Sequence, residues 1–361
     1  MKLNLILLTL VSFISFNTYA QEIQNFQDDN AYLDSAYTHL IHPKISPVGN
    51  KALASKSDFQ EAMNFQTPVR SQESRGTCSI FSATAYVESL MLQNEFFNQD
   101  LNLSEEWLQY TSVRGRQSDG SSAPSNFEAV KKYGMAMEET LPYIGQDWTK
   151  AESTLTQKRC AGLTGTTLKS CQITHFDPTL LLKKDSEIAD ATFIKARTEA
   201  LNFKKEYLTT TNSNYYLYDT AAIKQRLLDG KPVVLELDFY YGAWNHRGGE
   251  ELGIVRNMDL WSKGVIGNPE PGSLDLAKSP TKPAGHSVLV VGYDDNKVVK
   301  ISTQMADGTT KTFTYKGVYY IKNSWGTSSF GSNFQVDGVN YPGYGMITQK
   351  HANNDGSFFA L

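Results

Sequence analysis

The chain has 361 residues, enough for more than one core at one domain per roughly 100–200 residues, and 40% of them are hydrophobic, which excludes disorder as its main state. With 34 Lys and Arg against 38 Asp and Glu, a net charge of -4, nothing marks a polyanion-binding surface, and nucleic acid is not an expected partner. Aromatic residues reach 12%, which suits much β-structure with large packed side chains.

Residues 1–20 place Lys2 ahead of an apolar run from Leu3 to Phe16 and close on Thr18-Tyr19-Ala20, with small residues at the two positions a signal peptidase reads. This predicts a cleaved secretory signal rather than an anchor, because the run is shorter than the roughly 20 residues a bilayer needs and Gln21-Glu22 follow at once. No later stretch is long and apolar enough to span, so the mature chain is expected to be soluble, secreted or periplasmic. Residues 21–57 are polar and read as a short leader or pro-segment.

From Thr67 to Thr77 a polar, Gly-containing loop leads into a helical pattern: Ile80, Ala83, Val87 and Leu90 recur at helical spacing, with Phe81, Ala85 and Met91 alongside. Cys78 falls in the first turn. There the positive end of the helix dipole and unpaired backbone N–H groups favour thiolate and lower the pKa. Gln72, six residues upstream, offers a side-chain amide to an oxyanion formed beside the sulfur. The bland alternative for Cys78 is a buried, inert thiol.

Three cysteines in an exported chain imply one disulfide and one free thiol, or an intermolecular bridge. Cys160 and Cys171 lie in a polar segment rich in Gly and Thr, where a bridge would close a short loop and contribute roughly 3 kcal/mol in the chain-entropy model. Cys78 is left over, and an unpaired thiol in an oxidising compartment needs a reason. Further on, Phe193, Ala196, Ala200, Phe203 and Tyr207 fall on one helical stripe, with Asp185 or Ser186 as its expected cap.

Of six histidines, His286 opens an apolar β-run from Ser287 to Val291 closed by turn residues. His39, His42, His175, His246 and His351 lie in polar, unpatterned stretches and are expected at the surface. A second run, Gly317 to Lys322, ends on Asn323-Ser324-Trp325-Gly326. Asn323 could orient the imidazole through a ring N–H and Trp325 could shield that bond from water, although an Asn in such a turn is ordinarily a turn former. No ligand-spaced cluster of His and Cys and no phosphate-cradling glycine loop is present, so neither a metal nor a cofactor is expected.

Together these segments resemble the papain family of cysteine peptidases. The stretch Pro68-Val69-Arg70 through Gln72 to Cys78 and Phe81-Ser82-Ala83 is similar to the family's nucleophile motif; Gly285-His286-Ser287-Val288 with Val291-Gly292-Tyr293 to its His motif; Asn323-Ser324-Trp325-Gly326, followed by Gly343-Tyr344-Gly345, to its Asn motif and closing strand. Leu103-Ser104-Glu105-Glu106 and Phe127 to Tyr143 resemble its left-domain helices, and Asp229 to Val234 its first long right-domain strand.

The resemblance implies an α+β, papain-like two-lobed fold, a helical left lobe and a β-barrel-like right lobe with the active-site cleft between, over residues 58–361. It implies Cys78 as nucleophile, His286 as general base and then acid, Asn323 as orienter, Trp325 as shield and Gln72 as oxyanion donor with the Cys78 N–H. The reaction would be peptide hydrolysis through a thioester, and the partners a peptide or protein substrate and protein inhibitors. Membrane is not an expected partner once the signal is removed. A catalytically silent binding protein and a transpeptidase or ligase are the alternatives on the same fold.

Several residues depart from the family pattern. Arg75 stands where the family has a disulfide-forming Cys, Ser79 where an aromatic follows the nucleophile, Phe330 where a second Trp is usual, and Gly120-Ser121-Ser122 where a glycine pair is usual. The intervals from Cys78 to His286 and Asn323 exceed the ~130–150 residues of family members. Insertions therefore fall near 144–215, 242–283, read as a long loop, and 295–316, read as an added hairpin of Val298–Ile301 and Thr312–Tyr315 around Asp307-Gly308.

Overall fold

The computed structural model describes residues 53–150, 153–208 and 214–361. The signal expected at 1–20, the leader up to residue 52, and with them His39 and His42, lie outside the described residues.

The chain enters as a strap: Ser57 N donates to Tyr293 O, Asp295 N to Ser55 O, and the Tyr293 hydroxyl to Ala54 O. The short helix α1 (Phe59–Met63) follows, capped by Asp58. Helix α2 (Cys78–Gln93) is buried on nearly all sides, as its apolar content demands of a helix at the centre of a lobe. Around it lie α3 (Glu105–Val113), capped by Ser104, and α4 (Ala123–Tyr133), capped by Ser122 with Pro124 in its first turn. Helix α4 ends at Gly134, whose φ of 74° lies in the left-handed region and whose Cα a side chain would push into the Ala200 carbonyl.

Residues 144–215 hold α5 (Thr154–Arg159), α6 (Gly165–Thr174) and α7 (Ala191–Tyr207). The stripe on α7 is as expected, with Phe193, Ala196, Ala200 and Phe203 buried, but its cap is Asp190, which accepts from Phe193 N. Asp185 instead opens a preceding 3-10 turn. Phe193, Ala196 and Ala200 pack with Trp107, Tyr110 and Phe176, so this stretch is part of the left-lobe core. Cys160 and Cys171 are bridged and pack against Trp148.

The right lobe contains β1 (Tyr216–Leu217), α8 (Thr220–Leu228) and β2 (Val233–Asp238), then, within 242–283, a 3-10 turn, α9 (Met258–Ser262), β3 (Val265–Ile266) and α10 (Leu274–Lys278). It continues with β4 (Gly285–Gln304), β5 (Thr310–Lys322), β6 (Gln335–Val336), β7 (Val339–Asn340), β8 (Tyr344–Thr348), α11 (Gln349–Asp355) and β9 (Gly356–Phe359). Seven strands form one sheet in the order β1-β9-β2-β4-β5-β8-β3, whose two ends do not pair to close a barrel. Among the described residues only β3 and β8 run parallel; β6 and β7 form a separate hairpin.

The alternation along β4 explains its continuous apolar run. Leu289 and Val291 face a core shared with α2, while Val288 and Val290 face a second core with Leu235, Leu237, Ile321 and Trp325. Each such side chain taken fully out of water contributes about 1.5–3 kcal/mol. The hairpin expected at 295–316 is a continuation of β4 and β5 themselves, with Ile301 opposite Phe313 and Val298 opposite Lys316. The stretch 242–283 is not a plain loop: Trp244, Trp261 and Ile266 are buried in the second core.

Three histidines expected at the surface are buried: His175, His246 and His351. Polar flanks misled the expectation, because each ring finds its partners far along the chain. His351 Nδ1 meets Gly267 O at 2.8 Å, and burial holds its imidazole down at about 4. A neutral buried His binds no proton between pH 6.5 and 4 while the unfolded chain does, so stability falls as pH drops through that window. His351→Gln is expected to flatten the fall in melting temperature from pH 6.5 to 4, and an unchanged slope would show that other groups set it.

Candidate active site

Cys78 is the first residue of α2, after Thr77. Its thiol lies against the backbone N–H groups of Ser287, Ser79 and Cys78 itself. Ser287 is the neighbour of His286 on β4, and the Ser82 hydroxyl on α2 meets the Ser287 hydroxyl at 2.6 Å. Two elements from opposite lobes are thus brought together at the Cys78 thiol and the strand that carries His286.

His286 Nε2 and Asn323 Oδ1 are 2.8 Å apart, and the Asn323 oxygen also accepts from Ser324 N at 2.9 Å. That second bond fixes which end of the amide faces the ring, so Nε2 donates and Nδ1 of the neutral ring keeps its lone pair. Nδ1 is buried and has no hydrogen-bond partner among the described residues. The Trp325 ring stacks on the imidazole with centroids 4.5 Å apart and 27° between planes.

Gln72 is held across the lobes. Its backbone N–H donates to Ser324 O, the Ser324 hydroxyl donates to Gln72 Oε1 at 2.7 Å, and Gln72 Nε2 donates to Arg75 O at 2.7 Å. All four residues are buried, Cys78 at 1% exposure and His286 and Gln72 at 0%.

Burial reverses one expectation about the thiol. It pushes the Cys78 pKa up, Glu236 adds to the rise, and the amides of Ser287, Ser79 and Cys78 only partly offset it, so the helix end does not by itself yield a low pKa. Burial likewise lowers the His286 imidazole to about 4, against the raising effect of its bond to Asn323. Ionised one at a time, both groups are costly here; ionised as a thiolate–imidazolium pair, each offsets the other's desolvation.

The departures from the family pattern have structural roles. Arg75 is 1% exposed, with Nε and Nη2 on Asp119, Nη1 on Glu106 and on Ile144 O, and Nη2 on Ile173 O. Burial opposes its charge, but Asp119 and Glu106 hold the guanidinium protonated. Glu106 in turn meets His175 Nδ1 at 2.6 Å. Ser79 meets the Ser121 hydroxyl at 3.1 Å and accepts from Asn126 Nδ2, and Ser121 donates to Asn126 Oδ1. Phe330 packs on Trp325, Trp244 and Trp261.

Sequence reasoning missed the aromatic wall on the far side of His286. Trp244 stands edge-on to the imidazole at 5.1 Å and Phe239 at 5.9 Å, while Trp261 stacks on Trp325. The signal was available: Phe239, Trp244 and His246 follow within a few residues of a strand end, and large aromatics so placed belong to a core rather than to a loop. Among the described residues no group of three or more His, Cys, Asp or Glu could hold a metal ion, and no helix is long and apolar enough to cross a membrane.

A two-lobed α+β fold with a Cys at a helix start and a His–Asn pair at facing strand ends defines the thiol-peptidase class of site. The model of the papain family cysteine proteases matches residues 53–250, and the chain belongs to that family. The match holds Gln72 and Cys78 and stops short of His286 and Asn323, whose place rests on geometry.

No curated protein matches the chain. Among solved structures it is similar to xylellain, a cysteine protease from Xylella fastidiosa, at 17% identity over 92% of this chain and 97% of that one, with a TM-score of 0.49. It is similar to digestive procathepsin L 3 from the larval midgut of Tenebrio molitor at 18% identity, covering 94% and 79% of the two chains, with a TM-score of 0.44. The cysteine protease and lectin-like domains of Cwp84, a surface-layer-associated protein of Clostridium difficile, are similar at 14% identity over 97% of this chain and 59% of that one, with a TM-score of 0.47.

Proposed function

We propose that the chain is an exported peptidase that hydrolyses peptide bonds through a thioester on Cys78. The observation that carries this reading is the His286 Nε2 bond to Asn323 Oδ1, which leaves Nδ1 as the basic nitrogen beside the strand residue whose amide touches the thiol. His286 takes the Cys78 proton, the thiolate adds to the peptide carbonyl, and the oxyanion is met by the Gln72 amide and the Cys78 N–H. The imidazolium then protonates the leaving amine as the C–N bond breaks. Water, deprotonated by His286, adds to the thioester, and collapse releases the acid and restores the thiol. Asn323 orients the ring and Trp325 shields that bond.

Export is supported by the pattern at 1–20 and by the Cys160–Cys171 bridge. We place the peptidase domain at 58–361, with the stretch before it as a strap and leader.

A second reading, a silent binding protein on this fold, is favoured by one observation: burial drives the thiol up and the imidazole down. Incubation of the mature protein with an epoxide inhibitor of papain-like enzymes, followed by mass mapping, separates the two. Label on Cys78 that is lost in His286→Ala supports the peptidase. Absence of label, while a small alkylator still reaches Cys78, supports the silent protein.

A further inference from the structure

The first turn of α4 leaves one amide for a distant part of the chain to answer. Pro124 has no N–H, Ser125 N is taken by the Ser122 hydroxyl, and Asn126 N donates to Ser122 O at 2.8 Å. The remaining donor, Ala123 N, donates across the lobes to Glu236 Oε1 at 2.7 Å. Glu236 is fully buried, and its carboxylate at the positive end of an 11-residue helix is favoured by the dipole as well as by the bond.

The strand register puts this bond beside the nucleophile. On β2, Glu236 stands opposite Ser287 of β4 and Ser357 of β9, and opposed residues of an antiparallel pair project from one face. That face is turned to the left lobe, because the Ser287 hydroxyl meets that of Ser82 on α2. The Ser287 amide touches the Cys78 thiol, and the Glu236 charge is felt there. The segment that carries Ala123 is also fastened to the start of α2, where the Ser79 and Ser121 hydroxyls lie 3.1 Å apart. Residues 121–123 are thus clamped between Ser79, next to the nucleophile, and Glu236 on the opposing lobe.

We propose that Glu236 is a latch: its carboxylate, seated on the first amide of α4, closes the lobes over Cys78, and a peptide reaches the thiol only when this bond parts. The burial of Cys78, at 1% exposure, is the closed state of that latch. Parting costs a buried charge-assisted hydrogen bond, which the backbone N–H of an entering peptide can replace on the same carboxylate. What concerns a peptide rests on the peptidase reading; access to the thiol does not.

The test compares two thiol reagents of different size, iodoacetamide and a biotin maleimide, on the disulfide-intact mature protein at one pH. Both consume the same thiolate, so the ratio of their rates reads access and cancels ionisation. Glu236→Ala is expected to raise the maleimide-to-iodoacetamide ratio roughly tenfold, and Glu236→Gln, whose side-chain oxygen still accepts from Ala123 N, to restore part of the closure. A ratio unchanged in Glu236→Ala, or identical in the two variants, overturns the latch. Amide exchange of the wild-type protein reads the same bond without a variant, should Glu236→Ala not fold. Ala123 N–H is expected to be protected in the free protein and to exchange about tenfold faster once a peptidyl epoxide occupies Cys78, while the core amides of β2 stay unchanged. Free exchange at Ala123 before labelling, or exchange there unaltered by the label, overturns the latch. If the epoxide does not label while the maleimide ratio rises in Glu236→Ala, the latch stands and the peptidase reading falls.

Discussion

Cys78→Ala is expected to abolish peptide hydrolysis with the fold intact, and His286→Ala to lower it on the order of 10⁴-fold or more, because the two act as one unit. The sharper readout is the pH at which the thiol reacts. Burial holds the Cys78 thiol up and the His286 imidazole down at about 4, so an isolated thiol in this site would alkylate only in alkaline solution. A paired thiolate and imidazolium would react with iodoacetamide near pH 6. The wild-type protein should therefore alkylate at pH 6, and His286→Ala only well above neutrality. Identical alkaline profiles for the two proteins would mean that no pair forms, and the proposed mechanism would go. Asn323→Ala should retain measurable turnover, since Asn323 orients the ring and moves no proton.

Arg75→Met is expected to cost about 3–5 kcal/mol of stability, the usual result of removing one partner from a buried ionic cluster. The substitution leaves Glu106 buried against one fewer cation and Asp119 without its fork, and it unties the carbonyls of Ile144 and Ile173. The residue lies three positions before the nucleophile and its carbonyl holds the Gln72 amide. Activity should therefore fall along with stability, because small displacements at a nucleophile cost on the order of 10²-fold. Urea denaturation together with peptide hydrolysis reads both. A loss below 1 kcal/mol would show that the cluster relaxes around the gap.

The parts of the molecule legible in the sequence are those set by short-range chemistry. Cys78 at a helix start, His286 at the mouth of a two-faced apolar strand and Asn323 in a strand-end turn could all be placed from local pattern, and the structure puts them at one junction. The Cys160–Cys171 bridge was suggested by the place of the two residues in one polar segment, and the α7 stripe by its period. What escaped depends on distant partners. His175, His246 and His351 sit in polar flanks but are buried by Glu106, by the tryptophans around Trp325 and by Gly267. The stretch 242–283 looked like a loop because its Gly, Pro and Asn content masks the few aromatics that pin it to the core. The pKa of Cys78 escaped for the same reason: the helix end is local, but the burial that outweighs it is tertiary.

The tie that holds the nucleophile loop to residue 119 is made of ions, at the position where family members are expected to use sulfur. A thiol enzyme works best where reductant keeps its cysteine from oxidising, yet reductant also severs structural bridges. Here the two demands are uncoupled. A milieu reducing enough to protect Cys78 would open only the Cys160–Cys171 loop in the left lobe and leave the loop carrying Gln72 and Cys78 fastened. The liability moves to acid, which neutralises the Glu106 carboxylate that His175 and Arg75, against its burial, hold below the ordinary range. The fastening of this loop is thus set by pH and not by redox state.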